Sequence, residues 1–195
     1  MASVSKFRRL VQEHNDLFTN LSKIEKDIDD ALVLLIGSLS SGNKILVCGN
    51  GGSAADSQHF AAELIGRFEL ERRSLPAIAL TTDTSALTAI GNDYGFSSVF
   101  ARQLEGLGNK ADTLVGISTS GNSKNVILAV EAAKKKGIHT IGVLGNDGGE
   151  LASLVDVPVI VPHSVTARIQ EAHIFIIHFW CARIERELFS SSSND

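Results

Sequence analysis

Cysteine is scarce in this 195-residue sequence: Cys48 and Cys181 are the only two. A disulfide framework is therefore excluded, and with no C-x-x-C pair a thiolate metal site is excluded too. Both cysteines lie in apolar stretches and read as small buried hydrophobes. A charge excess of either sign is also lacking. Eighteen basic and 22 acidic residues give a net charge of −4, and the basic ones are scattered. That leaves no electrostatic footprint for nucleic acid or for an anionic membrane. The cluster Lys134-Lys135-Lys136 closes a predicted helix, where it complements the dipole. Long hydrophobic runs are missing as well. The longest, Ile174 to Cys181, is interrupted by His178 and falls far short of a bilayer span. The first ten residues contain no apolar core of the kind a signal peptide carries, so the expectation is a soluble cytoplasmic protein. No internal repeat stands out.

What is present suits one domain with a helical extension. An apolar fraction of 44% is enough for a full core. Residues 4 to about 41 read as helix, with Leu21, Ile24, Ile28, Leu32, Leu35, Ile36 and Leu39 recurring every three or four residues. This stripe precedes the first strand. It predicts an oligomer contact formed by residues 1–41, with packing on its own domain as the alternative. From residue 42 to 195 the chain alternates. Strand runs read at 44–48, 76–80, 112–117, 139–144 and 156–160. Helical runs read at 53–68, 84–91, 97–107, 122–136, 148–154 and 166–189, and Gly137 closes one of them. Such alternation predicts an α/β fold, a five-stranded parallel sheet with helices on both faces. Ligands in such sheets sit beyond the carboxyl ends of the strands, so the loops after Cys48, Leu80, Gly116 and Leu144 are expected to line the site. Only Ser190 to Asp195 reads as disordered.

The most informative stretch is Gly49-Asn50-Gly51-Gly52-Ser53, followed at helical spacing by His59 and Glu63. A strand, a glycine turn and a helix start form a natural anion site, because free N–H groups and the positive end of the dipole meet there. Ser53 is expected to add a hydroxyl at the N-cap. His59 and Glu63 are four residues apart and share a helix face, where they can move protons or bind a metal. The plainer alternatives are a loose dinucleotide-type turn that binds nothing and a surface or core histidine. The loop after the third strand reads Ser118-Thr119-Ser120-Gly121-Asn122-Ser123. Four hydroxyls and a helix N-terminus suit the three oxygens of a phosphate monoester; an ordinary polar turn is the alternative. Gly91-Asn92-Asp93-Tyr94-Gly95 reads as a glycine-bounded loop, in which Asn92 and Asp93 bond sugar hydroxyls or simply cap and turn. In the last helix Gln170 and His178 lie eight residues apart and point roughly the same way. His178 stands in an apolar run, where a neutral buried histidine is the plainer reading.

Together these pieces carry a resemblance. The glycine turn, His59-Phe60-Ala61-Ala62-Glu63, Ile90-Gly91-Asn92-Asp93, the hydroxyl loop, Arg168-Ile169-Gln170-Glu171 and His178 occur in the order seen in sugar isomerase (SIS) domain proteins. The sequence most resembles the bacterial phosphoheptose isomerases, over nearly its whole length. The resemblance implies an aldose–ketose isomerase that interconverts sedoheptulose 7-phosphate and D-glycero-D-manno-heptose 7-phosphate, feeding heptose into lipopolysaccharide or related glycans. It also implies a homotetramer with sites at subunit interfaces. By the same resemblance Asn50, Gly51, Gly52, Glu63, Asn92, Asp93, Ser118, Thr119, Ser120, Ser123 and Gln170, with Ser53 of the same turn, bind substrate. His59, Glu63, Gln170 and His178 would hold one Zn²⁺ per subunit, and Glu63 and His178 would be the acid–base pair. Some heptose isomerases carry Asp where this sequence has Ala167. A relative of the same fold binds the replication initiator protein DnaA instead; the presence of His59, Glu63 and His178 together favours the enzyme. The hydroxyl loop argues against a nicotinamide dehydrogenase, so no nucleotide cofactor is expected. The lack of a DNA-binding segment argues against a transcriptional sugar-phosphate sensor.

Overall fold

A computed structural model describes residues 5–189. Helix α1 spans Lys6–Asn20 and is capped by Ser5, whose hydroxyl accepts the N–H of Arg8. A short 3-10 turn over Leu21–Ile24 bends the chain into α2, Glu25–Ser40. Then come β1 Ile45–Gly49, α3 Gly52–Ile65, β2 Ala77–Ala79, α4 Thr84–Tyr94, α5 Val99–Leu107, β3 Thr113–Ser118 and α6 Lys124–Lys135. The chain continues through β4 His139–Leu144, α7 Gly149–Leu154, β5 Val157–Ile160 and α8 Thr166–Phe189. The expected alternation holds, with strand ends shifted by a residue or two. Residue 4 and the stretch 190–195 lie outside the described residues.

The strands form one all-parallel sheet in the order β2-β1-β3-β4-β5. Successive side chains on a strand face opposite layers, and both layers are apolar. Ile45, Val47, Val115, Ile117, Ile141 and Val143 point toward α1, α2, α3 and α8. Leu46, Cys48, Leu114 and Leu144 point toward α5, α6 and α7. The direction of strand addition reverses between β1 and β3: β2 is laid down on one side of β1, and β3 and β4 on the other. This switch point opens a crevice at the carboxyl ends of β1 and β3, where such folds take their ligands.

The apolar stripe of the N-terminal segment is occupied inside the chain, as the alternative reading had it. Leu21, Ile28, Leu32, Leu35 and Leu39 are buried in the core that α2 shares with the sheet and α8. The indole N–H of Trp180 on α8 donates to the carbonyl of Ile28 at 3.0 Å and pins the two helices together. The apolar side chains left outside on this layer are others: Phe7, Leu10, Val11, Val33 and Phe175. Among the described residues no helix is long and apolar enough to cross a membrane.

His173, on α8, is fully buried, and its Nε2 donates to the carbonyl of Leu144 at 2.9 Å. Burial pushes this imidazole down to about 4 from 6.5, partly opposed by the bond to Leu144. Between those values the unfolded chain binds the extra proton, so folding stability falls as pH drops from about 6.5 toward 4. The loss approaches about 3 kcal/mol at the low end. A His173→Gln variant, which keeps a donor for Leu144, is expected to show a flatter urea midpoint across that window. Asp56, on α3, whose carboxyl burial pushes up to about 6, contributes with the opposite sign in an overlapping range, so the difference between wild type and variant is the quantity to measure.

Candidate active site

Strand β1 delivers the glycine turn into the crevice. Gly51 caps α3 at φ 55°, in the left-handed region that favours glycine. The N–H groups of Ala54 and Ala55 donate to its carbonyl, and that of Ser53 to the carbonyl of Asn50. Ser53 is therefore not the N-cap: it lies in the first turn, buried, with its carbonyl accepting the Ser57 hydroxyl at 2.7 Å. With Gly51 in that conformation, the helix begins at Gly52, two residues earlier than a Ser53 cap would allow. At Gly52 an added Cβ would collide with the side-chain amide of Gln170, so Gly52 leaves room for that amide against the turn. Asn50 is fixed sideways. It exchanges two amide hydrogen bonds, 2.9 and 2.8 Å, with Asn125 in the first turn of α6.

The hydroxyl loop follows β3, next to β1 in the sheet. The hydroxyls of Ser118 and Ser123 are 3.0 Å apart at the N-terminus of α6, which Ser123 caps by position. The first-turn amides of a helix of this length lack helical partners, so an anion here meets free donors and the dipole. The β4–α7 loop braces this segment: Asn146 donates to the Thr119 carbonyl at 2.8 Å, and Glu150 N–H to the Asn122 side chain at 3.0 Å. Ser120 faces the other way. Its hydroxyl accepts the Asn122 N–H, and it lines an open cavity of about 560 Å³ with Asn122, Asn146, Asp147, His163 and Ser164. Loss of both inner hydroxyls in Ser118→Ala/Ser123→Ala is expected to raise KM for a sugar phosphate by about 10–100-fold, roughly 1–3 kcal/mol. Steady-state kinetics that leave KM unchanged would remove the phosphate role of this loop.

Helices α3 and α8 pack side by side and bring the remaining groups together. His59 and His178 meet Nε2 to Nε2 at 2.9 Å, and the Glu63 carboxylate lies 3.4 Å from His59 Nε2. Phe68 packs its ring against His178, centroids 5.4 Å apart. Burial, then the neighbouring His59, hold His178 below the usual imidazole value, and Glu63 partly offsets them. So His178 is not the buried histidine that an apolar run suggests; His173, five residues earlier, takes that place.

Two placements were not legible. Asn92 and Asp93 are not in a loop: they form the last turn of α4, exposed, with the Asn92 amide donating to Asp93 at 2.8 Å. Asp83 caps that helix by accepting the Ala86 N–H, and Gly95, at φ 84°, rather than Gly91, ends it. Asp56 is new to the site. It falls on the same α3 face as Gly52, His59 and Glu63, and its Oδ2 is buried without a partner. Burial pushes its carboxyl up to about 6, against the pull of His59.

A zinc ion is implied by the resemblance. The donor types suit it, since two imidazole nitrogens and a carboxylate on facing helices are ordinary zinc ligands. Yet among the described residues no three His, Cys, Asp or Glu side chains stand as a ready metal cage. The fit is thus one of donor chemistry on converging helices.

A five-stranded parallel sheet with the glycine turn and the hydroxyl loop at its switch point is the architecture of the SIS fold. The SIS domain family model matches residues 10–145. A phosphoheptose isomerase of Citrifermentans bemidjiense is 56% identical over 180 residues, covering 92% of this chain and 94% of that protein. One from Helicobacter pylori is 58% identical over 167 residues, 86% of this chain and 87% of that protein. Among solved structures, a phosphoheptose isomerase from Neisseria gonorrhoeae superposes with a TM-score of 0.84 at 49% identity, covering 93% of this chain and 99% of that one. One from Francisella tularensis superposes at 0.91 with 39% identity, covering 95% and 100%. The chain belongs to the SIS domain family and, within it, to the phosphoheptose isomerases; it is an enzyme, a sugar-phosphate isomerase.

Proposed function

We propose that this isomerase interconverts sedoheptulose 7-phosphate and D-glycero-D-manno-heptose 7-phosphate, at the head of heptose supply for lipopolysaccharide or a related glycan. The observation that carries the reading is the meeting of His59, Glu63 and His178 two to three turns along α3 from the glycine turn, with Gln170 lying against Gly52. The phosphate rests between the turn and the inner hydroxyls of Ser118 and Ser123. Asn50, Gly51, Gly52, Ser53 and Thr119 shape the crevice, Ser120 contributes from the open cavity on the other side of its loop, and Asn92 and Asp93 reach the sugar from α4. Glu63 takes the proton from the carbon beside the carbonyl and returns it to the neighbouring carbon. His178 moves a proton between the two oxygens. His59, Glu63, Gln170 and His178 would hold Zn²⁺, which when bound polarises the carbonyl and steadies the negative oxygen.

The enzyme works in the cytoplasm as a homotetramer in this reading. The apolar side chains on the outside of α1 and α8, Phe7, Leu10, Val11 and Phe175, are surfaces that partner copies would cover. No observation favours the other reading, a protein that binds DnaA. Incubation of purified protein with sedoheptulose 7-phosphate, followed by chromatography for the aldoheptose phosphate, tests the assignment. No aldose after many enzyme equivalents of time, with the other sugar phosphates of five to seven carbons also tried, would sink it.

A further inference from the structure

The segment that leaves α3 holds a buried polar centre that the chemistry above does not use. Arg72 and Glu185 form an ion pair, Nε to Oε1 at 2.9 Å, with each side chain 1% exposed. Glu63 stands in the last turn of α3, where the final carbonyls of a helix have no partner within it. Arg72 supplies several of those partners, while the Leu64 carbonyl also takes the Leu75 N–H at 3.0 Å. Its Nη2 donates to the carbonyl of Glu63 itself at 2.8 Å, and its Nη1 to those of Leu64 at 2.8 Å and Gly66 at 3.2 Å. Its positive charge also sits at the negative end of the helix dipole. Glu185 completes the other half. It accepts the N–H groups of Phe68, Glu69 and Leu70, each at 2.8 Å, so the chain after α3 is folded around one carboxylate of α8. Glu185 lies seven residues beyond His178, two turns along the same face of α8. Phe68, whose N–H it holds, is the residue whose ring packs on His178.

Helix association alone does not call for this arrangement. A buried ion pair is a weak source of stability, because desolvation offsets much of its attraction, and an apolar pair would join α3 and α8 as well. An apolar pair would not satisfy the carbonyls of Glu63 and Gly66 or the N–H groups of residues 68–70. The geometry points to Arg72 and Glu185 as positioning residues for the isomerisation. They hold the last turn of α3 against α8, so that the Glu63 carboxylate and the His178 imidazole keep their mutual placement. This rests on the reading of Glu63 and His178 as the acid–base pair.

Arg72→Lys tests it, since lysine keeps the charge but lacks the planar fork that reaches several carbonyls at once. In steady-state kinetics kcat is expected to fall about 10–100-fold, with KM within about twofold, because the phosphate contacts lie at the other end of α3. Nitrogen NMR of the imidazoles is expected to show His59 and His178 displaced from their wild-type shifts. Leu104→Ala, in the core on the opposite sheet face, serves as a control that lowers Tm while leaving kcat intact. Should Arg72→Lys fail to fold, Arg72→Gln/Glu185→Gln removes both charges together, leaves no unpaired buried ion, and carries the same expectations. Wild-type kcat and wild-type histidine shifts in the folded variant would overturn the proposal. So would a kcat loss that Leu104→Ala reproduces at equal loss of Tm. If Glu63→Gln proves fully active, the acid–base reading fails separately, and the histidine shifts still decide the clamp.

Discussion

Glu63→Gln is expected to lower kcat by about 10²–10⁴ and to leave KM nearly unchanged, the usual effect of removing a positioned base. The substitution preserves the shape of the side chain but cannot take up a proton. Glu63 is suited to the task by its place. It is one turn beyond His59 on α3, its carboxylate is 3.4 Å from the His59 ring, and the backbone it stands on is held by Arg72. No contact joins it to the hydroxyl loop, so phosphate affinity has no reason to change. Solvent-deuterium exchange reads the step directly. Wild type is expected to wash deuterium into the carbon next to the carbonyl, and Glu63→Gln to lose that exchange along with turnover. Exchange that persists at the wild-type rate would place the base elsewhere, and Asp56 on the same helix face is where to look next. Zinc adds a tension, because a carboxylate that ligates a metal is a weaker base. If Glu63 were a zinc ligand, ligation and proton abstraction would have to belong to different stages of the cycle.

The fold was legible because its signals are local and repeated. Apolar runs such as Leu114-Val115 and Ile141-Gly142-Val143 have the composition of buried parallel strands, and Gly137, in the left-handed region, closes the helix between them. The glycine turn and the hydroxyl loop were legible for the same reason, since a turn's chemistry resides in adjacent residues. Misplacements arose where tertiary context decides. Gly91 looked like a loop boundary, but Asp83 and Gly95 define α4 and leave Gly91 inside it. The stripe of α2 looked free of any sheet because it precedes the first strand, yet chain order says nothing about which layer a helix joins. Asp56 had a visible signal, four residues after Gly52 and three before His59, but its burial is set by tertiary packing and cannot be read from spacing. Asn125 had none: its amide pair with Asn50 joins residues 75 positions apart. Arg72 and Glu185, 113 positions apart, are hidden in the same way, among charged residues that composition assigns to the surface.

His178→Gln is expected to cut kcat by a similar factor, about 10²–10⁴, but with a different exchange signature. Glutamine fills much of the space and can still bond to His59, so the helix pairing survives. It cannot carry a proton from one oxygen to the other. Glu63 can still remove the carbon-bound proton in this variant. The resulting intermediate, denied its oxygen-to-oxygen transfer, returns to the starting ketose with a solvent deuteron in place. Exchange into unreacted ketose therefore exceeds conversion to aldose in His178→Gln, whereas Glu63→Gln loses both. His173→Gln is the internal comparison, on the same helix and five residues away. Its ring faces the Leu144 carbonyl in the core, not His59, so near neutral pH its kcat is expected to match wild type. If His178→Gln lost exchange and conversion in equal proportion, the imidazole would be acting at or before carbon deprotonation. The roles of the two residues facing each other across α3 and α8 would then have to be reassigned.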